Sequence, residues 1–205
     1  MKILAISDEE DPYLWSLGRE NHPHVDLILS CGDLESVYLQ YLVTIFNCPL
    51  LYVHGNHDTH YAERPPEGCT CIEDMVYEFR GVRILGLGGS FRYRQGEHMH
   101  TEREMKQKYL KAWRFVKRHQ GFDILLTHAP SYAFGDQENL SHRGFVVFDK
   151  LIDRYRPAYH IHGHIHLSYG SQNKRISEYQ SGTKAINAYG KYCLETGDSI
   201  QIRET

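Results

Sequence analysis

Leu50-Leu51-Tyr52-Val53-His54-Gly55-Asn56-His57-Asp58 decides how this chain is read. An apolar run stops at a glycine, and an amide, an imidazole and a carboxylate follow at once. The run has the length and composition of a short buried strand. Polar groups gathered at strand carboxyl ends are where open α/β sheets hold their ligands. Three stretches repeat the arrangement: Ile3-Leu4-Ala5-Ile6-Ser7-Asp8, Val25-Asp26-Leu27-Ile28-Leu29-Ser30-Cys31-Gly32-Asp33 and Asp123-Ile124-Leu125-Leu126-Thr127-His128. A fifth, His160-Ile161-His162-Gly163-His164-Ile165-His166, spaces four histidines by two. Five strand ends bearing metal-type ligands predict one site.

Outward from that stretch, the pattern predicts a strand over 2–7, a helix just after Pro12 and a helix over 35–46. Residues 60–68 read as a proline-containing loop, and residues 76–88 as a hairpin turning at Gly81. A polar loop with His98 and His100 leads into a helix over 101–119, with Thr101 as its cap and Glu104 as capping-box partner. A strand over 122–127, a helix near 145–155 and a strand over 157–162 continue the alternation. Short strands follow at 174–177, 183–187, 191–195 and 199–202. Alternating strands and helices before a strand-rich tail predict an α/β fold, a two-sheet β-sandwich flanked by helices.

At 205 residues the chain is expected to form a single domain over 1–205. Its 41% hydrophobic and 24% charged content is that of a soluble globular protein. A net charge of −3 gives no support to a nucleic-acid-binding surface. The five cysteines (Cys31, Cys48, Cys69, Cys71 and Cys193) are odd in number and scattered, which points to a reducing cytoplasm rather than a disulfide framework. Cys69-Thr70-Cys71 stands alone, without the second pair a zinc clip needs. Neither a signal-peptide pattern nor an apolar run of about 18–20 residues is present.

Asp, His and Asn side chains suit Mn²⁺, Fe, Zn²⁺ or Mg²⁺. Two such ions about 3.5–4 Å apart clamp the attacking and leaving oxygens of a phosphoryl displacement. Taken in order, Gly32-Asp33, Gly55-Asn56-His57-Asp58, Thr127-His128 and Gly163-His164-Ile165-His166 resemble the successive motifs of the calcineurin-like metallophosphoesterase superfamily. The resemblance spans nearly the whole chain, and its small size is that of the compact branch that includes bacterial phosphodiesterases and the retromer subunit Vps29.

The resemblance implies a four-layer α/β/β/α fold and a dinuclear metal-dependent phosphoesterase, more a phosphodiesterase than a monoesterase. The alternatives are a non-catalytic binding scaffold of the Vps29 kind and a nuclease. It further implies that Asp8 and His166 bind a first metal, that Asp33 bridges, and that Asn56, His128 and His164 bind a second. His57 would protonate the leaving oxygen, Asp58 would orient its imidazole, and a metal-bridging hydroxide would attack. Mn²⁺ is the expected ion, with Fe, Zn²⁺ or Mg²⁺ as alternatives.

One motif departs from the family's pattern. The usual Asp-x-His is Asp8-Glu9-Glu10 here, so either Glu10 replaces the histidine as a ligand or the first metal has lost a donor. A ligating Glu10 would leave the centre neutral and favour monoanionic diesters. Arg92, Arg94, His142 and Arg143 are the candidates for phosphate contact. His162, His164 and His166 project to one side if the strand stays extended. His54, His60, His98, His100 and His160 read as core or surface histidines. The expected partner is a small phosphodiester; nucleic acid stays open, and no membrane is expected. A homo-oligomer contact is open at Tyr132-Ala133-Phe134 or in the tail.

Overall fold

Alternation along the first strand generates the layers. In the computed structural model, which describes residues 1–18, 20–132, 140–167 and 174–197, β1 (Lys2–Ser7) turns Ile3 and Ala5 one way and Leu4 and Ile6 the other. The chain continues through α1 (Pro12–Ser16), β2 (Leu27–Ser30), α2 (Ser36–Phe46), β3 (Leu50–Tyr52) and β4 (Thr70–Cys71). A hairpin of β5 (Met75–Phe79) and β6 (Val82–Leu87) precedes the short β7 (Ser90–Phe91) and β8 (Met99–His100). Then come α3 (Glu102–Arg118), β9 (Ile124–Thr127), α4 (Val146–Tyr155), β10 (Tyr159–His162), β11 (Ile176–Glu178), β12 (Lys184–Asn187) and β13 (Gly190–Glu195).

One sheet has the order β13-β1-β2-β3-β4, with β1 to β4 parallel and β13 antiparallel at its edge. The other has the order β11-β12-β10-β9-β6-β5, with β12, β10, β9 and β6 parallel. Ile3, Ala5, Leu29 and Leu51 of the first sheet meet Ile84, Ile124, Leu126 and Ile161 of the second in a shared core. The outer face of the first sheet packs Leu4, Ile6 and Ile28 under Tyr38, Leu39 and Leu42 of α2. The outer face of the second packs Leu85 and Leu125 under Met105 and Val116 of α3 and Phe148 and Ile152 of α4. The result is the four-layer α/β/β/α arrangement. Burial on both faces explains why the central strands are apolar runs rather than alternating ones.

The capping box at α3 forms as expected: the Glu104 amide donates to Thr101 Oγ1 at 3.3 Å, and the Thr101 amide donates to Glu104 Oε2 at 2.7 Å. Three features differ from the expectation. Residues 60–68 open with a 3₁₀ turn, Asp58–Ala62. β4 arises in a stretch that carried no expectation, and β8, paired in parallel with β7, arises where a polar loop was expected. The third concerns the histidine run, which does not stay extended. β10 ends at His162, and a left-handed φ of 65° at His164 turns the chain. The strand expected at 199–202, and Ala133 and Phe134 of the suggested oligomer contact, lie outside the described residues. Among the described residues no helix is long and apolar enough to cross a membrane.

Candidate metal centre

The carboxyl ends of β1, β2 and β3 in one sheet and of β9 and β10 in the other open onto the same cleft. Three polar residues there adopt left-handed backbone: Asp8 (φ 63°), Asp33 (φ 57°) and His164 (φ 65°). Such a conformation costs a non-glycine residue about 1 kcal/mol or more, so surrounding contacts must hold it. They do. Asp8 Oδ2 accepts from the His164 amide at 2.8 Å, and Asp33 Oδ1 from the His57 amide at 2.7 Å. Glycine makes the approach possible: a Cβ on Gly163 would lie 2.4 Å from Asp8 Oδ2, and one on Gly55 would lie 2.1 Å from Asp33 Oδ1.

Asp8, Asp33, His128 and His164 each bring one ligand atom into a group whose members all lie within 4.8 Å of one another. Asn56 Oδ1 is 3.0 Å from His128 Nε2, and His166 Nε2 is 3.8 Å from Asp8 Oδ1. The proton positions follow from the acceptors. The Cys31 carbonyl lies 2.8 Å from His128 Nδ1 and can only accept, so the proton sits on Nδ1. His128 Nε2 then confronts Asn56 Oδ1 and, at 3.4 Å, Asp33 Oδ2. Only a second proton or a cation reconciles those three atoms. His164 Nε2 likewise donates to the Ser141 carbonyl at 2.7 Å and leaves Nδ1 as its lone pair. Two imidazole lone pairs, two carboxylates and an amide oxygen, with the outer imidazole nitrogens held by carbonyls, suit divalent ions of the Mn²⁺–Zn²⁺ type.

Without an ion, protons balance the cluster. Burial raises the Asp8 carboxyl, against the opposing charge of His128. Burial also acts to raise Asp33, but the His128 charge and hydrogen bond hold it far below the usual carboxylate range. Burial disfavours charge on His128, yet Asp33, Asp8 and Asp58 raise it to about 9. Burial and the His128 charge push His164 down to about 3. A stability slope follows. Because the folded-state value of His128 lies above the ordinary 6.5, its contribution is complete below 6.5 and is lost as pH rises through about 9. Metal-free protein should therefore lose on the order of 2–3 kcal/mol between those limits. Melting curves in chelator across that range test this, and a flat or rising profile would contradict it.

Two lobes flank the cluster. The larger, about 540 Å³, is lined by Asn56, Tyr93, Ser141, His142, His164 and His166. The smaller, about 300 Å³, is lined by Glu10, Leu34, Glu35, Asp58 and His60. Asp8, Asp33 and His57 line both. The exposed His57 ring thus stands where the lobes meet.

Several of the expected site residues make other contacts in this structure. Asp58 does not reach the His57 ring: its Oδ2 accepts from the Gly55 amide at 2.7 Å and the Asp33 amide at 2.9 Å, which ties the two loops together. Glu10 stands outside the four-donor group, because the Trp15 indole N–H, 2.8 Å from its Oε2, holds the carboxylate in the smaller lobe. His142 lines the cleft, but Arg92 and Arg143 do not. Arg92 binds the Met99 carbonyl and Glu104, and Arg143 lies over the Phe91 and Tyr132 rings. Arg94 packs over Tyr93. Tyr93 and Ser141 in the larger lobe, and Leu34 and Glu35 in the smaller, are lining residues that sequence reasoning passed over.

Residues 1–168 match the family model described as calcineurin-like phosphoesterase. A UPF0046 protein of Caenorhabditis elegans is 25% identical over 83% of this chain and 65% of its own length. The human lariat debranching enzyme is 23% identical over 88% of this chain and 44% of its own length. The chain thus spans less than two thirds of these relatives. Among solved structures, the Thermus thermophilus protein TT1561 superposes with a TM-score of 0.58 at 15% identity, covering 92% of this chain and 88% of that one. That likeness concerns the fold.

Proposed function

The chain belongs to the calcineurin-like phosphoesterase family, and from that premise we propose that it is a metal-dependent phosphodiesterase with His57 as its general acid. The observation that carries the reading is the convergence of Asp8, Asp33, His128 and His164 donor atoms within 4.8 Å at the ends of both sheets. Asp8, Asp33 and His166 would hold one divalent ion, and Asp33, Asn56, His128 and His164 a second. Manganese fits a set mixing carboxylates, an amide oxygen and imidazoles. Bound ions supply Lewis-acid stabilisation of the phosphoryl oxygens and a nucleophile available at neutral pH.

The chain's own residues do the rest. His128 and His164 present lone pairs because the Cys31 and Ser141 carbonyls take their outer protons. Asp58 fixes the backbone of Gly55 and Asp33. His57 delivers a proton from its ring to the departing oxygen. Two lobes sharing the wall of Asp8, Asp33 and His57 favour a diester, since each of its substituents has a lobe to occupy. Relatives named lariat debranching enzymes are in keeping with a phosphoester substrate of this kind.

Metal-stripped protein should be inert toward bis(4-nitrophenyl) phosphate and recover turnover when Mn²⁺ is restored. No turnover by fully metallated protein, on diesters or monoesters, would move the weight to a binding scaffold.

A further inference from the structure

Three side-chain atoms that are buried without a hydrogen-bond partner belong to residues lining the smaller lobe: Glu10 Oε1, Asp58 Oδ1 and His60 Nε2. Asp58 is 1% exposed. A buried acceptor left without a donor costs about 1–3 kcal/mol. Two of these atoms, Glu10 Oε1 and Asp58 Oδ1, are carboxylate oxygens that call for a donor-bearing ligand, whereas His60 Nε2 faces the Glu35 carboxylate. Glu35 stands at the same lobe, its carboxylate 3.5 Å from His60 Nε2. Asp8 and Asp33 in the shared wall face the ion cluster, which leaves Glu10, Glu35 and Asp58 as the carboxylates of the rest of the lobe, beside the His57 and His60 imidazoles. Glu10 is held in place by the Trp15 indole on its other oxygen.

We propose that the smaller lobe is a subsite for a cationic substituent of the substrate, the ammonium of an amino-alcohol esterified to the phosphate. The inference rests on the phosphodiesterase reading above and deepens it. An ammonium group offers three donors and no acceptor, matching the orphaned carboxylate oxygens of Glu10 and Asp58. A cavity of about 300 Å³ holds a two- or three-carbon amino alcohol, and Leu34 supplies an apolar surface for its methylenes. His57, shared by both lobes, then stands beside the ester oxygen of that arm.

The test is calorimetric binding of 2-aminoethyl methyl phosphate and of propyl methyl phosphate to the Mn²⁺-loaded protein. Wild type should bind the amino compound at least about tenfold tighter, equivalent to about 1.4 kcal/mol. Glu10→Gln and Glu35→Gln should each bring the two ligands closer together, with metal content measured in both variants. Equal binding by wild type, or a preference that survives in both variants, overturns the subsite. A third equivalent of Mn²⁺ that is lost in Glu35→Gln also overturns it, since the lobe then holds a metal. Hydrolysis of bis(4-nitrophenyl) phosphate, which has no amine, reports separately on the phosphodiesterase reading.

Discussion

Asp33→Asn is expected to lower phosphodiester turnover about 10³-fold or more, the order reached when a group that stabilises transition-state charge is removed. The substitution keeps the shape of the side chain, and an amide oxygen can still accept from the His57 amide now bound at 2.7 Å. The negative charge is what disappears. Asp33 Oδ2 lies 3.4 Å from His128 Nε2 and belongs to the four-donor group, so under the proposed two-ion reading its charge would act on both ions. In metal-free protein the same charge heads the interactions that raise His128 against its burial. The variant should therefore also lose much of the stability slope between pH 6.5 and about 9. Metal titration alongside steady-state rates checks the claim. If two ions still bind with unchanged affinity and turnover stays within about tenfold of wild type, Asp33 is not shared between them.

Strand ends were legible in the sequence because β1, β2, β3, β9 and β10 are buried on both faces and stop where polar residues begin. Asp8, Asp33, Asn56, His128 and His164 could be assigned to one cleft on that basis, and the described structure brings them together. Helix α3 announced itself through Thr101 and Glu104, a purely local signal. What failed was non-local. Thr70–Cys71 is two exposed residues that become a strand only by pairing with Leu51 and Tyr52. Period-two reasoning stopped being valid at His164, where the backbone turns left-handed to bring its amide to Asp8. The family resemblance implies that Asp58 orients the His57 imidazole. Its carboxylate instead serves the backbone of the neighbouring loop, 25 residues away at Asp33. Tyr93 and Ser141 carry no motif, and loop closure alone puts them in the cleft.

His57→Ala should cost about 10²–10⁴-fold on diesters with alkyl leaving groups, the usual range for a general acid. With 4-nitrophenyl leaving groups the loss should shrink to roughly tenfold or less, because a nitrophenolate departs without being protonated. The structure makes this a clean substitution. The hydrogen bond that His57 gives Asp33 comes from its backbone amide, which alanine retains, and its ring is exposed rather than packed. Metal affinity should accordingly change little, unlike in Asp33→Asn. Asp58→Ala provides the contrast. Its carboxylate holds the Gly55 and Asp33 amides, so its loss should loosen the loops, weaken metal binding and slow both classes of diester alike. A histidine that orients through Asp58 predicts the opposite, namely the same leaving-group dependence in both variants. Rates for a matched pair of ethyl and 4-nitrophenyl diesters, with wild type and the two variants, decide between them. Equal losses on both diesters in His57→Ala would remove that residue from proton transfer and leave it only the shaping of the wall between the lobes.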